Sequence, residues 1–116
     1  MSTYLDLVPS PIKVGAMAPL NTEKGYAIKC YDNMNARNTT IINIGAPSIT
    51  RQDGTPMNGN DLTVPQTLIY WNGLGFGWRA VSGSNTGWYI ISFPLYLANG
   101  DVITRSVLLP VVSSVG

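Results

Sequence analysis

The sequence contains no histidine. The commonest general base and the commonest zinc ligand are therefore missing, and a serine or cysteine nucleophile would lack its usual partner. There is one cysteine, Cys30, so no disulfide can form within the chain, and a buried, inert thiol is expected. Charge is also scarce. Charged residues make up 11% of the chain, against about 25% in an ordinary soluble domain. The seven basic residues are scattered from Lys13 to Arg105, and the net charge is +1. A nucleic-acid partner needs a basic patch that releases counterions, and none is present. The longest apolar run, "VLLPVV" at 107–112, is too short to span a bilayer. The opening "MSTYLDLVPSPIKV" does not read as a secretory leader, so synthesis in the cytosol is expected. The glycosylation triplet Asn38-Thr39-Thr40 is then read as chance.

The six acidic residues give little to catalysis. Asp53 and Asp101 belong to turn sequences, Glu23 and Asp32 flank a strand, and Asp6 and Asp61 complete the set. The stretch "DGTPMNGND" offers Asp53, Asn58, Asn60 and Asp61 to a cation, but without the spacing or the bidentate glutamate of a calcium loop. No catalytic residue, cofactor or metal site is expected.

What the chain does contain is length and uncharged polarity. Its 116 residues fit one domain, large enough to build a core without staples. Ten Asn, ten Thr, nine Ser and twelve Gly predict a surface that hydrogen-bonds without a strong field. Proteins this close to neutrality associate readily.

No stretch holds apolar residues at helical spacing for three turns. Eight prolines and twelve glycines punctuate the chain at the spacing of short strands and turns. Strands are predicted at "YAIKCY" (26–31), "TTIINI" (39–44), "QTLIYW" (66–71), "LGFGWRAV" (74–81), "GWYIISF" (87–93), "LYLA" (95–98) and "DVITRSVLL" (101–109), with a further edge strand from "PVVSSVG". The fold class is all-β: a single antiparallel β-sandwich or jelly-roll-like barrel of seven to eight strands. It carries an extended N-terminal arm over 1–20, with the sandwich over 21–116.

Two hairpins are predicted in detail. Asn99-Gly100 suits a type I′ turn, which would set Leu97 against Val102, Tyr96 against Ile103 and Leu95 against Thr104. Both faces of that hairpin are apolar, so its second face is expected to be covered by this chain or another. Asn72-Gly73 offers the same turn. It sets Trp71 against Leu74, Tyr70 against Gly75, Ile69 against Phe76, Leu68 against Gly77 and Thr67 against Trp78. The odd alternation in "WNGLGFGWRAV" (71–81) is then packing: Tyr70 and Leu68 lie over bare glycine backbone while Leu74, Phe76 and Trp78 point the other way. A nucleotide loop is excluded, because the spacing is G-x-G-x-G and no helix start follows.

In the first twenty residues "TYLDLV" alternates like a strand, and Pro9, Pro11 and Pro19 stiffen the path. Such an arm either folds back on its own core or lies on a neighbour. The polar tract "TRQDGTPMNGNDLTVP" (50–65) is a long surface loop or a wide hairpin tip.

Taken together, the "MSTYLDLVPSPIKVGAMAPL" arm, the Asn/Thr/Gly/Ser-covered strands and the "YWNGLGFGWRAV" and "LANGDVITRSV" hairpins resemble those of the small decoration (cement or staple) proteins of tailed bacteriophage capsids. The resemblance implies a structural virion protein on the outside of a capsid, bridging neighbouring shell subunits. Its partners would be the major capsid protein and copies of itself, as a dimer or trimer, with no nucleic acid and no membrane. The expected interface residues are Tyr4, Leu5, Leu7, Val8, Ile12, Asp53, Met57 and Asn58. The alternative is a carbohydrate-binding module of a phage tail or spike, with Trp71, Asn72, Trp78, Asn85 and Trp88 around a sugar. An exposed tryptophan beside turn residues would favour that alternative, and buried rings the first reading.

Overall fold

The computed structural model describes residues 11–57 and 61–113. Among these residues eight strands form two sheets, with one short α-helix and a single 3-10 turn beside them. The strands are β1 (Ile12–Lys13), β2 (Glu23–Lys29), β3 (Ile41–Ile44), β4 (Ser48–Arg51), β5 (Leu62–Tyr70), β6 (Gly75–Ser82), β7 (Gly87–Leu97) and β8 (Val102–Val111), with α1 at Tyr31–Arg37. One sheet runs β1-β8-β7-β3, with β4 following β3 along the same edge of β7; the other runs β2-β6-β5. The all-β sandwich expected from the sequence is the fold observed. All pairings are antiparallel except β1 with β8.

The two sheets meet through alternating side chains. From β6, Phe76, Trp78 and Ala80 point inward; from β7, Tyr89, Ile91, Phe93, Leu95 and Leu97; from β8, Val107, Leu109 and Val111. Phe93 joins the layers, its ring centroid 5.1 Å from Phe76 and 4.8 Å from Trp78. Burying a ring the size of Trp78 contributes about 4–6 kcal/mol in area terms, so this aromatic cluster is the centre of the core. Cys30 is buried. Burial pushes its thiol up, with Arg105 opposing, which matches the inert thiol expected.

The Asn72-Gly73 hairpin has the predicted ladder: Tyr70 pairs with Gly75, Ile69 with Phe76, Leu68 with Gly77 and Thr67 with Trp78. Asn72 and Gly73 both have positive φ, and Leu74 N donates to Trp71 O, as a type I′ turn requires. The outermost expected pair, Trp71 with Leu74, leaves the ladder, because Trp71 itself turns left-handed (φ 55°) and Leu74 O accepts from Cys30 N.

The other hairpin differs by one residue. Tyr96 pairs with Val102 and Leu95 with Ile103, so the expected partners Leu97–Val102, Tyr96–Ile103 and Leu95–Thr104 are corrected. Only Gly100 has positive φ there. Gly100 N donates to Leu97 O and Leu97 N to Asp101 O, which is a three-residue loop closed by a glycine bulge. The tip is also held from outside, since Ala98 N bonds Thr40 O and Asn99 N bonds Thr39 Oγ1.

Three further departures have local causes. β7 runs through Pro94 as one strand, where two were expected. Pro94 O accepts from Gly45 N, so its missing N–H lies on the same side, opposite the break between β3 and β4, where no ladder bond is lost. The tract at 50–65 contributes strand at both ends, with Arg51 closing β4 and residues 62–65 opening β5. Pro65 falls at the register shift between Thr63 and Gln66, on an edge strand that tolerates it. Residues 31–37, which overlap the predicted strand end at Tyr31, form α1, capped by a left-handed Asn38 and anchored by buried Met34.

Of the expected arm, residues 1–10 lie outside the described residues. Residues 12–17 run along the open side of β8. Ile12 pairs with Val107, Lys13 with Leu108, and Met17 bridges to Val111. Met17 is 2% exposed, so this part of the stretch folds back into the core.

Candidate functional site

The hairpin tip at Trp71, Asn72 and Gly73 begins the site. It docks on the segment before β3, where a Cβ on Gly73 would stand 2.7 Å from Thr40 Cβ and 2.9 Å from Ile41 O. Only glycine fits that approach. The docking holds Trp71 in a left-handed conformation that disfavours bulky residues. Its ring is then supported from several sides. It lies on Gly75, with Tyr70 at 5.6 Å, Tyr31 edge-on at 6.3 Å and Lys29 Nζ at 5.5 Å from the ring centre.

Alternation along β6 sends Phe76, Trp78 and Ala80 into the core and leaves Gly75, Gly77 and Arg79 on the outer face. Two aromatic rings occupy the space the glycines leave. Trp71 covers Gly75, and Tyr70 covers Gly77, where an added Cβ would stand 2.5 Å from Tyr70 Cε2. The expectation that Tyr70 lies over the glycines is met at Gly77; at Gly75 the ring is that of Trp71. Beside them, the outer positions of β2 are Gly25 and Ala27, which project little. The result is a trough of about 480 Å³. Its floor is Gly25 and Ala27, and its wall is Leu68, Tyr70 and Trp71. Lys29 pairs across from Gly75 at one end. At the other, Arg79 Nη2 sits 2.8 Å from Glu23 Oε1, a bond that holds the Glu23 carboxyl below its usual range. Lys29 makes no ion pair among the described residues.

A second surface lies on the opposite side of the sandwich. The outer positions of the larger sheet carry Trp88, Ile90, Ser92, Pro94 and Tyr96 from β7. These face Pro110, Leu108, Ser106, Thr104 and Val102 from β8. Trp88 is 40%, Tyr96 41% and Val102 55% exposed. Ser92 and Ser106 share a hydroxyl hydrogen bond of 2.8 Å. Among the outward positions of the strands on this face, Lys13 is the one charged side chain, and its Nζ stands 5.2 Å over the Trp88 ring. On the second face of the β7–β8 hairpin Ile90, Ser92, Pro94, Ser106 and Leu108 are half-buried and Pro110 is buried, so the described part of this chain covers it in part and leaves Trp88, Tyr96, Val102 and Thr104 exposed.

The residues singled out for sugar binding are not gathered in one place. Trp71 (39% exposed) and Asn72 stand at the hairpin tip, so the exposed tryptophan beside turn residues that favours the sugar alternative is present there. Trp78 points the other way from its strand and is 1% exposed, so its ring is not offered at the surface. Trp88 is on the far sheet. Asn85 follows the opposite end of β6, where its Nδ2 donates to Asp61 Oδ1 at 2.7 Å. The expected interface residues are also dispersed. Tyr4, Leu5, Leu7, Val8 and Asn58 lie outside the described residues. Ile12 is half-buried in β1, Met57 packs against the core, and Asp53 closes a local turn by accepting from Thr55 N and Thr55 Oγ1. Those bonds lower the Asp53 pKa.

Asp61 is structural. Its carboxylate is buried against Arg51 Nη2 at 3.0 Å, and Arg51 in turn stacks on Tyr89 with Cζ 5.0 Å from the ring centre. Tyr89 Oη donates to Asn85 O, closing the network. The hydrogen bond from Arg51 to Asp61 raises the Arg51 pKa further. Asp61 thus faces a cation of its own chain, and no group of three or more Cys, Asp or Glu side chains is placed to hold a metal among the described residues.

Sequence reasoning missed Tyr31, Lys29 and Arg79 beside the trough, and Ile90, Tyr96 and Val102 on the far face. The signal for most of them was available: once Phe76 and Trp78 are assigned inward, every second residue of β6 and its partners must face out. Tyr31 had no such signal, because it lies on α1. No protein-family model matches the chain, and no curated protein matches it either.

Proposed function

We propose that this protein works by docking on other proteins, as a structural component on the outside of a capsid, and not by catalysis. The observation that carries the reading is the outer face of the larger sheet, which is nearly free of charge and presents Trp88, Tyr96 and Val102. Strand spacing and rise make that face about 33 Å by about 19 Å, on the order of 600 Å². A standard protein interface takes about 800 Å² from each partner, so this face supplies most of one side. Aromatic enrichment with charge depletion is the signature of interface centres. The partner class comes from the resemblance of the arm and hairpins to capsid decoration proteins.

A rigid sandwich bound across several shell subunits gains by multivalency, since each added contact is made at high local concentration. Contacts made by uncharged groups lose little in salt. The test is co-sedimentation with purified empty capsids, together with the mass in solution. The Tyr96→Arg/Val102→Glu double variant is expected to keep the wild-type melting temperature and lose sedimentation. If that folded variant still sediments with capsids, or the wild-type chain sediments with none, the reading is wrong.

A further inference from the structure

We propose that the trough on the outer face of the three-stranded sheet binds an acidic saccharide, with a sugar ring stacked on Tyr70 and Trp71 and a carboxylate held by Lys29. This goes beyond capsid docking and uses the other side of the sandwich. A pyranose has an apolar face of C–H groups and a rim of hydroxyls. Its complement is an exposed aromatic wall, a floor of small residues and polar groups at the ends, and the trough has all three. The volume of about 480 Å³ is in the range of small-ligand sites.

The rings are held in place before any ligand arrives. Trp71 rests on Gly75 and Tyr70 on Gly77, so neither has to be ordered on binding, which lowers the cost of association. The left-handed backbone at Trp71 points the same way, because a bulky residue kept in a disfavoured conformation is held there by its surroundings.

Charge selects the acid. Arg79 is tied to Glu23 at 2.8 Å, so that end offers hydrogen bonds to hydroxyls with little net charge. Lys29 has no ion pair among the described residues, and its Nζ is 5.5 Å from the Trp71 ring centre and 5.6 Å from that of Tyr31. One free ammonium beside a stacking surface fits one carboxylate per bound ring. A nucleic acid would need several such cations along its track; here one stands beside the Trp71 ring, and the cation in the lining, Arg79, is paired with Glu23.

Trigalacturonate, trisialic acid and the methyl ester of trigalacturonate, titrated by calorimetry against the full chain, form the test. At least one acid is expected to bind, and more tightly than the ester. Trp71→Ala is expected to weaken binding about tenfold or more, with Trp71→Phe restoring most of it. Lys29→Gln is expected to reduce the preference for acid over ester about threefold, as high salt should also do. Absence of binding by both acids overturns the proposal. So does equal binding of acid and ester, or binding indifferent to Trp71→Ala in a variant with an unchanged circular dichroism spectrum. The Tyr96→Arg/Val102→Glu variant must still bind the sugar, and Trp71→Ala must still sediment with capsids. Loss of capsid binding in Trp71→Ala instead makes the trough a protein contact and sinks the saccharide assignment while leaving capsid docking intact.

Discussion

The indole ring of Trp71 rests on the backbone of Gly75. A Cβ at position 75 would overlap Trp71 Cε3 and stand 2.6 Å from Ile28 O. The ring could swing away, but the carbonyl belongs to the neighbouring strand and cannot. Gly75→Ala is therefore expected to cost about 1–3 kcal/mol, as overpacking does, and Gly75→Val more. Gly77→Ala should behave alike, because its Cβ would stand 2.5 Å from both Tyr26 O and Tyr70 Cε2. Gly54→Ala is the control. Its Cβ meets nothing within 4 Å, so only the positive φ is penalised, at about 1 kcal/mol. Melting temperatures of the three alanine variants check the order. Equal losses at all three positions would show that packing against the rings is not what excludes a side chain.

Met17 tests how early in the chain the sandwich begins. It is buried, bridges to Val111, donates from its N to Pro110 O and accepts at its O from Val112 N. Met17→Ala is expected to lower stability by about 2–5 kcal/mol, measured by chemical denaturation. A loss below about 1 kcal/mol would be that of an exposed side chain.

The Arg51–Asp61 pair predicts an asymmetry between single and paired changes. Removing one partner of a buried ion pair strands the other charge, at a cost of about 3–5 kcal/mol. Arg51→Met is expected to lower stability, because the buried Asp61 carboxylate loses its ion pair and hydrogen bond with Arg51. The double variant Arg51→Met/Asp61→Leu should recover part of the loss, since no lone charge then remains. A denaturation cycle across the four proteins measures the coupling, and additive losses would contradict it.

Alkaline pH should destabilise the fold through Tyr26. Burial pushes its phenol from 10.0 up to about 12, and burial also raises Tyr89. A phenol with a raised pKa favours the folded state by staying protonated. Its contribution is complete below about pH 10 and is lost as the pH climbs through about 12. Tyr26 Oη donates to Gly15 O at 2.8 Å, so ionisation also breaks a tie between β2 and the segment that follows β1. Melting temperatures from about pH 9 to about pH 12 should fall, and fall less steeply in Tyr26→Phe. Identical slopes for the two proteins would remove Tyr26 as a cause.

The two hairpins show how much was legible in the sequence. At Asn72-Gly73 the turn type and the ladder follow from local preference alone, because glycine opposite bulk leaves one workable register. At Asn99-Gly100 the same dipeptide makes a longer loop. Thr39 and Thr40, which hold Asn99 and Ala98 through hydrogen bonds, lie far earlier in the chain, Thr39 by 60 residues, and no local rule contains them. The sugar set drawn from tryptophans and asparagines is dispersed for a similar reason. It grouped residues by type, whereas strand parity sends Trp78 inward and Trp71 outward.

The order of residues by itself determined the all-β class, the scarcity of catalytic groups, the buried thiol and the glycine-aromatic hairpin, because these rest on composition and on contacts between neighbours across a single turn. Tertiary structure alone decided that β7 runs through Pro94, that Met17 belongs to the core, that Asp61 faces Arg51, and that Tyr70 and Trp71 line one trough with Lys29 standing beside the Trp71 ring. Each of these depends on which strand lies beside which. That pairing is set by how two sheets bury one set of side chains together, an outcome of the whole chain's packing that no short stretch contains.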